Sequence, residues 1–544
     1  MFDPEKIAWL RNHFAIVAMG GVLLILLVLG LMRTPAGRGS LRALSRLAAC
    51  RWAVAAPAAA VLVLRIALLG VWEIPRPSVL DEFSYLLQAD TFASGRVVNP
   101  PHPLWQFFET MFVLQQPTYA SVYPPAQGVF LAIGTRFGHP WLGVWLSSGL
   151  MCLAIGWLLK GWLPPLWALL GTAWASVQLG LVSYWMNSYW GGAVAATGGA
   201  LLLGAACRIR RAFCVRDGIL FSLGLALLAG SRPYEGLVLG LASLAWLGWQ
   251  VRRSTWTQAR RTLLPAALVA GAGALAFGWY CWRVTGDFLR LPAVEYMRQY
   301  AAAPVFVWQP PTPAPVYRHA ELRSAHASLA DDHQRFRTLS GAGEYTLWKL
   351  LRVGTFFLGP LIFLPLVMAH WLWRTRTRFL LAACVVTIAA VLMVAPLQPH
   401  YLAPIAGGIF ALATQSIRML WVAGRLGSEF GGIVSSAAPP VVILVMAISF
   451  LVEPPGTPLR QKPEIEDALK RAGGPQLVIV RYSAYHKLSE EWVYNAADID
   501  AAPVVWARDM GDERNRELIR YYADRRVWLL EADAAPMKLV EAKR

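Results

Sequence analysis

The sequence predicts an all-α polytopic membrane bundle of about twelve transmembrane helices, ending in a small α/β domain on the non-cytoplasmic side. Three observations carry this. The chain of 544 residues is 56% hydrophobic and only 15% charged, with a mean hydropathy of +0.45. A water-soluble protein of this length needs far more charge to cover its surface. Apolar runs long enough to span a bilayer recur along the chain, and the loops between them are basic in strict alternation. The 25 tryptophans fit the same class, because indole favours the membrane–water interface.

The apolar runs cover 14–32, 53–72, 139–159, 163–183, 190–207, 218–231, 234–250, 263–282, 348–373, 379–396, 401–422 and 433–452. The first is read as a retained helix, since Arg33-Thr34-Pro35 offers no small-residue cleavage site. Arginines cluster in every second loop: Arg33 to Arg51, Arg208 to Arg216, Arg252 to Arg261 and Arg374 to Arg378. The positive-inside rule makes these loops cytoplasmic and puts both termini outside. The formal charge of +18 is therefore a topology signal, and nucleic acid is not an expected partner. The six cysteines lie in apolar runs or cytoplasmic loops, so no disulfide framework or zinc spacing is expected.

Three domains follow: 1–52, an N-terminal helix with a basic loop; 53–452, the bundle with outer loops 73–138 and 283–344; and 453–544, the outer α/β domain. In that tail, Glu464–Ala472 reads as a helix, Leu477–Arg481, Val504–Ala507 and Val527–Leu530 as strands, and 512–524 as a second helix. Asp512 and Glu513 suit the positive end of its dipole. The halves of the bundle do not match, which favours an embedded enzyme over a carrier built from repeats.

The chemistry is expected at the outer face. Asp81 and Glu82 follow the second span, and a carboxylate there can serve as general base for a hydroxyl. Taken alone they read more readily as an acidic helix N-terminus, followed by an amphipathic helix over Tyr85-Leu86-Leu87-Gln88-Ala89. Further along come Pro100-Pro101-His102-Pro103 and Tyr123-Pro124-Pro125, then Arg232-Pro233-Tyr234-Glu235 and Gln398-Pro399-His400-Tyr401-Leu402-Ala403-Pro404. This arrangement resembles the GT-C class of glycosyltransferases, which take sugars from polyprenyl phosphates. The class includes protein O-mannosyltransferases and the lipid A aminoarabinose transferase. The likeness spans roughly 53–452; Val122 stands where a Lys is frequent in the class, and the helix at 14–32 is additional.

The resemblance implies transfer of a sugar from a polyprenyl-phosphate donor to a glycan, lipid or protein hydroxyl, in a bacterial plasma membrane. Asp81 would be the base, and Glu82 would orient the acceptor or hold a divalent cation; no other cofactor is implied. Tyr85, His102, Tyr123, Tyr234, Glu235 and Tyr401 would bind substrate, and Arg232 and His400 the phosphate. Arg136 and Arg283 lie behind them. The aromatic loop with Asn187, Tyr189 and Trp190 could stack on a sugar, or form an interfacial belt. Arg65 lies about 10 Å from the outer end of its helix and reads as snorkelling. His319, His326 and His333, about 10.5 Å apart per step on a helix, cannot share one ion and read as a polar face. The rival readings are a transporter or lipid flippase that couples through Asp81 and Arg65, and a surface-polysaccharide polymerase or ligase.

Overall fold

The computed structural model describes residues 35–252, 256–452, 461–483, 486 and 490–542. The expected span at 14–32 lies outside the described residues. Each of the other eleven apolar runs is helical over most of its length. Among the described residues, five helical stretches are long and apolar enough to cross a membrane: Trp141–Trp162, Pro165–Val182, Trp256–Thr285, Leu339–Val367 and Pro399–Arg425. Ala55–Gly70, Ala193–Ile209 and Arg378–Leu392 are shorter apolar helices.

The bundle core mixes small residues with large apolar ones such as Trp162, Trp185, Phe357 and Phe410. Helix Ala193–Ile209 is buried along most of its length. It is so closely packed that a Cβ on Gly199 would stand 1.7 Å from the Pro404 carbonyl oxygen. Close backbone approach of this kind is how helices associate without a hydrophobic drive between them. On helix Trp256–Thr285, by contrast, Leu264, Leu268 and Leu275 are more than half exposed. An apolar stripe of this length facing outward needs lipid to cover it.

Several elements depart from expectation. The Arg-rich stretch after the first span forms helix Pro35–Ala49, whose Ala48 packs on Leu169. Its Arg, Leu and Ala are good helix formers. The stretch 73–138 holds two helices, Leu80–Ala93 and Pro125–Arg136, and a short antiparallel pair, Val113–Leu114 with Ala120–Ser121. The run at 348–373 is broken after Leu358, where Gly359 adopts φ +56° ahead of Pro360.

The tail follows the expected order of helix, strand, strand, helix, strand, and adds an edge strand, Lys538–Glu541. Strand Gln476–Arg481 is central and pairs in parallel with Val504–Arg508 on one side and Arg526–Glu531 on the other. Alternate residues face opposite ways. Val478, Val480 and Trp506 face Leu469 of the tail's own helix. Leu477, Ile479 and Val505 join Phe107, Phe108 and Tyr119 of the stretch 73–138 in a shared core. The tail is thus docked on the loop that carries Asp81.

Candidate active site

Helix Leu80–Ala93 starts at the acidic pair, and its first turn separates the two carboxylates completely. Glu82 is 1% exposed and turns back on its own helix start. Its Oε2 accepts from the Ser78 and Val79 amides at 2.7 and 3.1 Å and from Ser78 Oγ at 3.3 Å. Its Oε1 accepts from the Tyr189 amide at 2.8 Å. This is a capping arrangement extended to a second loop. With its lone pairs taken, Glu82 is a poor fit for a divalent cation or an acceptor hydroxyl. The expected second acidic function therefore gives way to a structural staple.

Asp81 is different. It remains partly exposed, and its Oδ1 accepts a short hydrogen bond from the Tyr123 hydroxyl. Burial raises the Asp81 pKa above the ordinary 3.8, against the opposing pull of that hydrogen bond and of the Arg232 charge. The Tyr123 ring stacks on Tyr85, with centroids 4.3 Å apart. Such a pair contributes about 0.5–1.5 kcal/mol beyond area burial and fixes the phenol's direction. Gln88, one turn further on, donates to the Tyr123 carbonyl at 2.9 Å. Helix and Tyr-Pro-Pro loop are held as one piece.

The turn before helix Pro233–Val251 docks on the same loop, since the Ala126 amide donates to the Gly230 carbonyl at 2.7 Å. This brings Arg232 into electrostatic range of Asp81, Tyr85 and Tyr123. Its guanidinium lies over the Tyr401 ring at 4.3 Å and 4.0 Å from Glu235, with 18% of the side chain exposed. An anion arriving here meets a cation that is positioned but only loosely neutralised. Segments far apart in sequence, around 81, 123, 232 and 401, therefore converge on one patch.

Other expected residues stand elsewhere or play other parts. His400 is 3% exposed; its Nδ1 meets the Tyr184 hydroxyl at 2.8 Å, and Trp190 lies against its ring at 4.8 Å. It forms a wall behind the patch. Tyr189 donates its hydroxyl to the Pro75 carbonyl, and Tyr234 donates to the Ala390 carbonyl. His102 leaves the site altogether: it joins Asp500 and Tyr522 of the tail at 3.1 and 3.2 Å. Arg136 and Arg283 are exposed.

Asn187 accepts from Arg65 Nε at 3.0 Å. Arg65 does not snorkel. It is wholly buried, stacks on Trp141 and donates to the Trp72 and Glu73 carbonyls, which orders the start of the outer loop. The histidines at 319, 326 and 333 form a buried face rather than a polar one. Tyr296 and Tyr317 cover His326, and burial lowers its pKa to about 4.

Sequence reasoning missed Arg352, whose NH2 donates to Gln398 Oε1 at 2.7 Å, next to the His400 segment. A lone arginine inside the apolar run 348–373 was the available signal. It also missed Arg508, which is fully buried. Arg508 pairs with Glu491, with Glu321 at 2.7 Å, and with the Glu109 carbonyl at 2.6 Å.

No family model matches the chain, and no curated protein matches it. Solved structures do. ArnT from Cupriavidus metallidurans bound to undecaprenyl phosphate is 12% identical, with a TM-score of 0.48, over 86% of this chain and 92% of that one. The archaeal oligosaccharyltransferase AglB from Archaeoglobus fulgidus, in complex with an inhibitory peptide and a dolichol-phosphate, is 13% identical, with a TM-score of 0.38. That match covers 88% of this chain and 69% of AglB. Both of those structures hold a polyprenyl phosphate. At such scores the likeness carries no functional weight, and the chemistry has to come from the patch itself.

Proposed function

We propose that this protein is a membrane glycosyltransferase of GT-C type that moves a sugar from a polyprenyl-phosphate donor to an acceptor hydroxyl on the outer face of the membrane. The observation that carries the reading is the convergence of a partly exposed carboxylate, Asp81, and a loosely neutralised guanidinium, Arg232, beside a rigid stack of tyrosines. A displacement at a sugar's anomeric carbon needs those two charges. A base removes the proton from the attacking hydroxyl, and a cation receives the phosphate that departs.

In this reading Asp81 takes the acceptor proton and Tyr123 aims its carboxylate. The acceptor oxygen bonds to the anomeric carbon as the carbon–oxygen bond to phosphate breaks, and Arg232 holds the phosphate. Tyr85 and Tyr401 line the space between, and Glu235 keeps Arg232 in place. Arg65 is engaged by Asn187 and two carbonyls, which leaves it no free hand for the coupling role a transporter would assign it.

The test is a strain lacking the gene. Lipid-linked sugars should accumulate, and one glycan, lipid or protein modification should vanish from its mass spectrum. Wild-type protein should restore it. Asp81→Asn, expressed at the same level, should reduce transfer by about 10²-fold or more, the usual contribution of a general base. Full restoration by that variant would remove Asp81 as the base.

A further inference from the structure

Helix Pro35–Ala49 stands at the opposite end of the bundle from Asp81 and has no part in the proposed transfer. Helix Trp141–Trp162 separates the two. Its first residue, Trp141, donates to the Met186 carbonyl near the loop that meets Glu82, and Lys160 in its last turn donates to the Cys50 carbonyl. Leu44 and Ala48 of helix Pro35–Ala49 pack on Leu166 and Leu169. At about 100° per residue, Arg42 and Arg46 stand about 40° apart on the side turned away from that contact. Both are exposed, as is Arg51. The sequence holds no acid between Glu5 and Glu73. Among the described residues no carboxylate pairs with any of the three arginines. Like charges one turn apart repel, so this stripe weakens its own helix unless an anion meets it. The flank beside it is apolar. Leu47, about 100° round from Arg46, is 58% exposed, and Trp52, under the Arg51 guanidinium at 5.1 Å, is 66% exposed.

We propose that helix Pro35–Ala49 and the Arg51-Trp52 turn form an interfacial anchor that gathers anionic phospholipids: the arginines meet the lipid phosphates while Leu47 and Trp52 enter the acyl boundary. A basic amphipathic helix with leucine and tryptophan beside its cations is the composition that lies in a bilayer interface. Each cation near an anionic leaflet strengthens association roughly fivefold. The neighbouring helices favour a lipid over a soluble partner. Trp167, next to Leu166, meets Trp421 at 5.8 Å; Arg425 lies over that ring at 4.4 Å, and Leu426 beside it is 83% exposed. Cation–aromatic pairs thus continue along the rim, as at a membrane–water interface. The anchor also has a mechanical consequence. The apolar helix that follows, Ala55–Gly70, extends about 24 Å against roughly 30 Å of hydrocarbon. A span that short takes its depth from the anchors at its ends. Its far end carries Arg65 and leads into Asp81. None of this depends on the glycosyltransferase reading.

The chain carries its own reporter position. Cys50 and Cys214 are exposed and the other four cysteines are buried, so Cys214→Ser leaves Cys50, beside Arg51, for a bimane label. The full-length labelled protein is placed in phosphatidylcholine nanodiscs containing a small fraction of chain-nitroxide phosphatidylglycerol or chain-nitroxide phosphatidylcholine. Both leaflets are alike there, so the reading does not depend on orientation. Phosphatidylglycerol should quench the label at about a threefold lower mole fraction than phosphatidylcholine, and high salt should narrow the gap. Replacing Arg42, Arg46 and Arg51 together by Gln should make the two lipids quench alike. Replacing all three by Lys should keep the preference, which assigns it to charge rather than to packing. Equal quenching by the two lipids before any arginine is replaced, or a preference that survives the Gln replacements, would overturn the proposal. Quenching by neither lipid would overturn it too, and would turn this face towards water and a soluble partner.

Discussion

Asp81 and Glu82 are neighbours of nearly identical chemistry, and one turn of helix gives them opposite fates. Glu82 is consumed by four donors, whereas Asp81 keeps an exposed edge and one tyrosine partner. Burial raises the Asp81 pKa, and a base with a raised pKa accepts a proton more readily near neutrality. The sign of the pH dependence follows. With Asp81 as the proposed base, activity is present above its pKa and lost as pH falls through it. That acidic limb should lie above the ordinary 3.8. Tyr123→Phe removes a donor that favours the charged form, so the limb should move to higher pH while transfer near neutrality falls. The donor lipid accumulated by the deletion strain supplies the assay. A limb unmoved in Tyr123→Phe would show that the phenol does not tune this carboxylate. The acidic pair, Tyr123 and Arg232 were legible because motif and charge marked them. The division of labour within the pair was not, since Val79 at the helix start gives no polar capping signal.

At the level of elements, the tail's sheet is half of a core completed by the stretch 73–138. Tyr494 stacks on Phe83 at 4.4 Å, two residues beyond Asp81, and the Ala497 amide donates to Asp90 at 2.7 Å on the same helix. Arg508 bolts the assembly by reaching Glu491 in the tail, Glu321 in the stretch 283–344 and the Glu109 carbonyl in the stretch 73–138. Breaking such a buried pair from one side strands a charge and costs about 3–5 kcal/mol, whereas replacing both partners by apolar groups is often neutral. Arg508→Met should therefore lower the thermal midpoint in detergent, and Arg508→Met with Glu491→Leu should recover part of the loss. Equal midpoints for wild type and Arg508→Met would show that the bolt contributes nothing. The tail's strands and helices were readable from their apolar runs and caps. Their docking was not, because Leu477 facing Phe107 looks in sequence like any buried strand residue. The histidines misled for a related reason: charged residues between them suggest a solvated helix, but a step of seven keeps all three on one buried face.

For the whole molecule, the bundle has two chemically distinct ends. Helix Trp141–Trp162 links them, and its 22 residues extend about 33 Å. At its start, Trp141 stacks under Arg65 and donates to the Met186 carbonyl, near the loop that meets Glu82. At its end, Lys160 reaches the Cys50 carbonyl and Arg211 the Gly161 carbonyl, among the basic loops. The tail touches the Asp81 helix directly, so tail and site share one side. We propose, by the positive-inside rule, that the arginine end is cytoplasmic and the Asp81 end outside. The chain's own cysteines allow a test, because Cys50 and Cys214 are exposed at the arginine end while the other four are buried. A membrane-impermeant maleimide on intact spheroplasts should spare both and label them only after permeabilisation. Ala501→Cys, at an exposed position in the tail, should label in intact spheroplasts. Labelling of Cys214 before permeabilisation, with Ala501→Cys protected, would invert the orientation and move the proposed chemistry to the cytoplasmic face. The geometry around Asp81 and Arg232 would be untouched, but donor and acceptor would have to be sought on the other side.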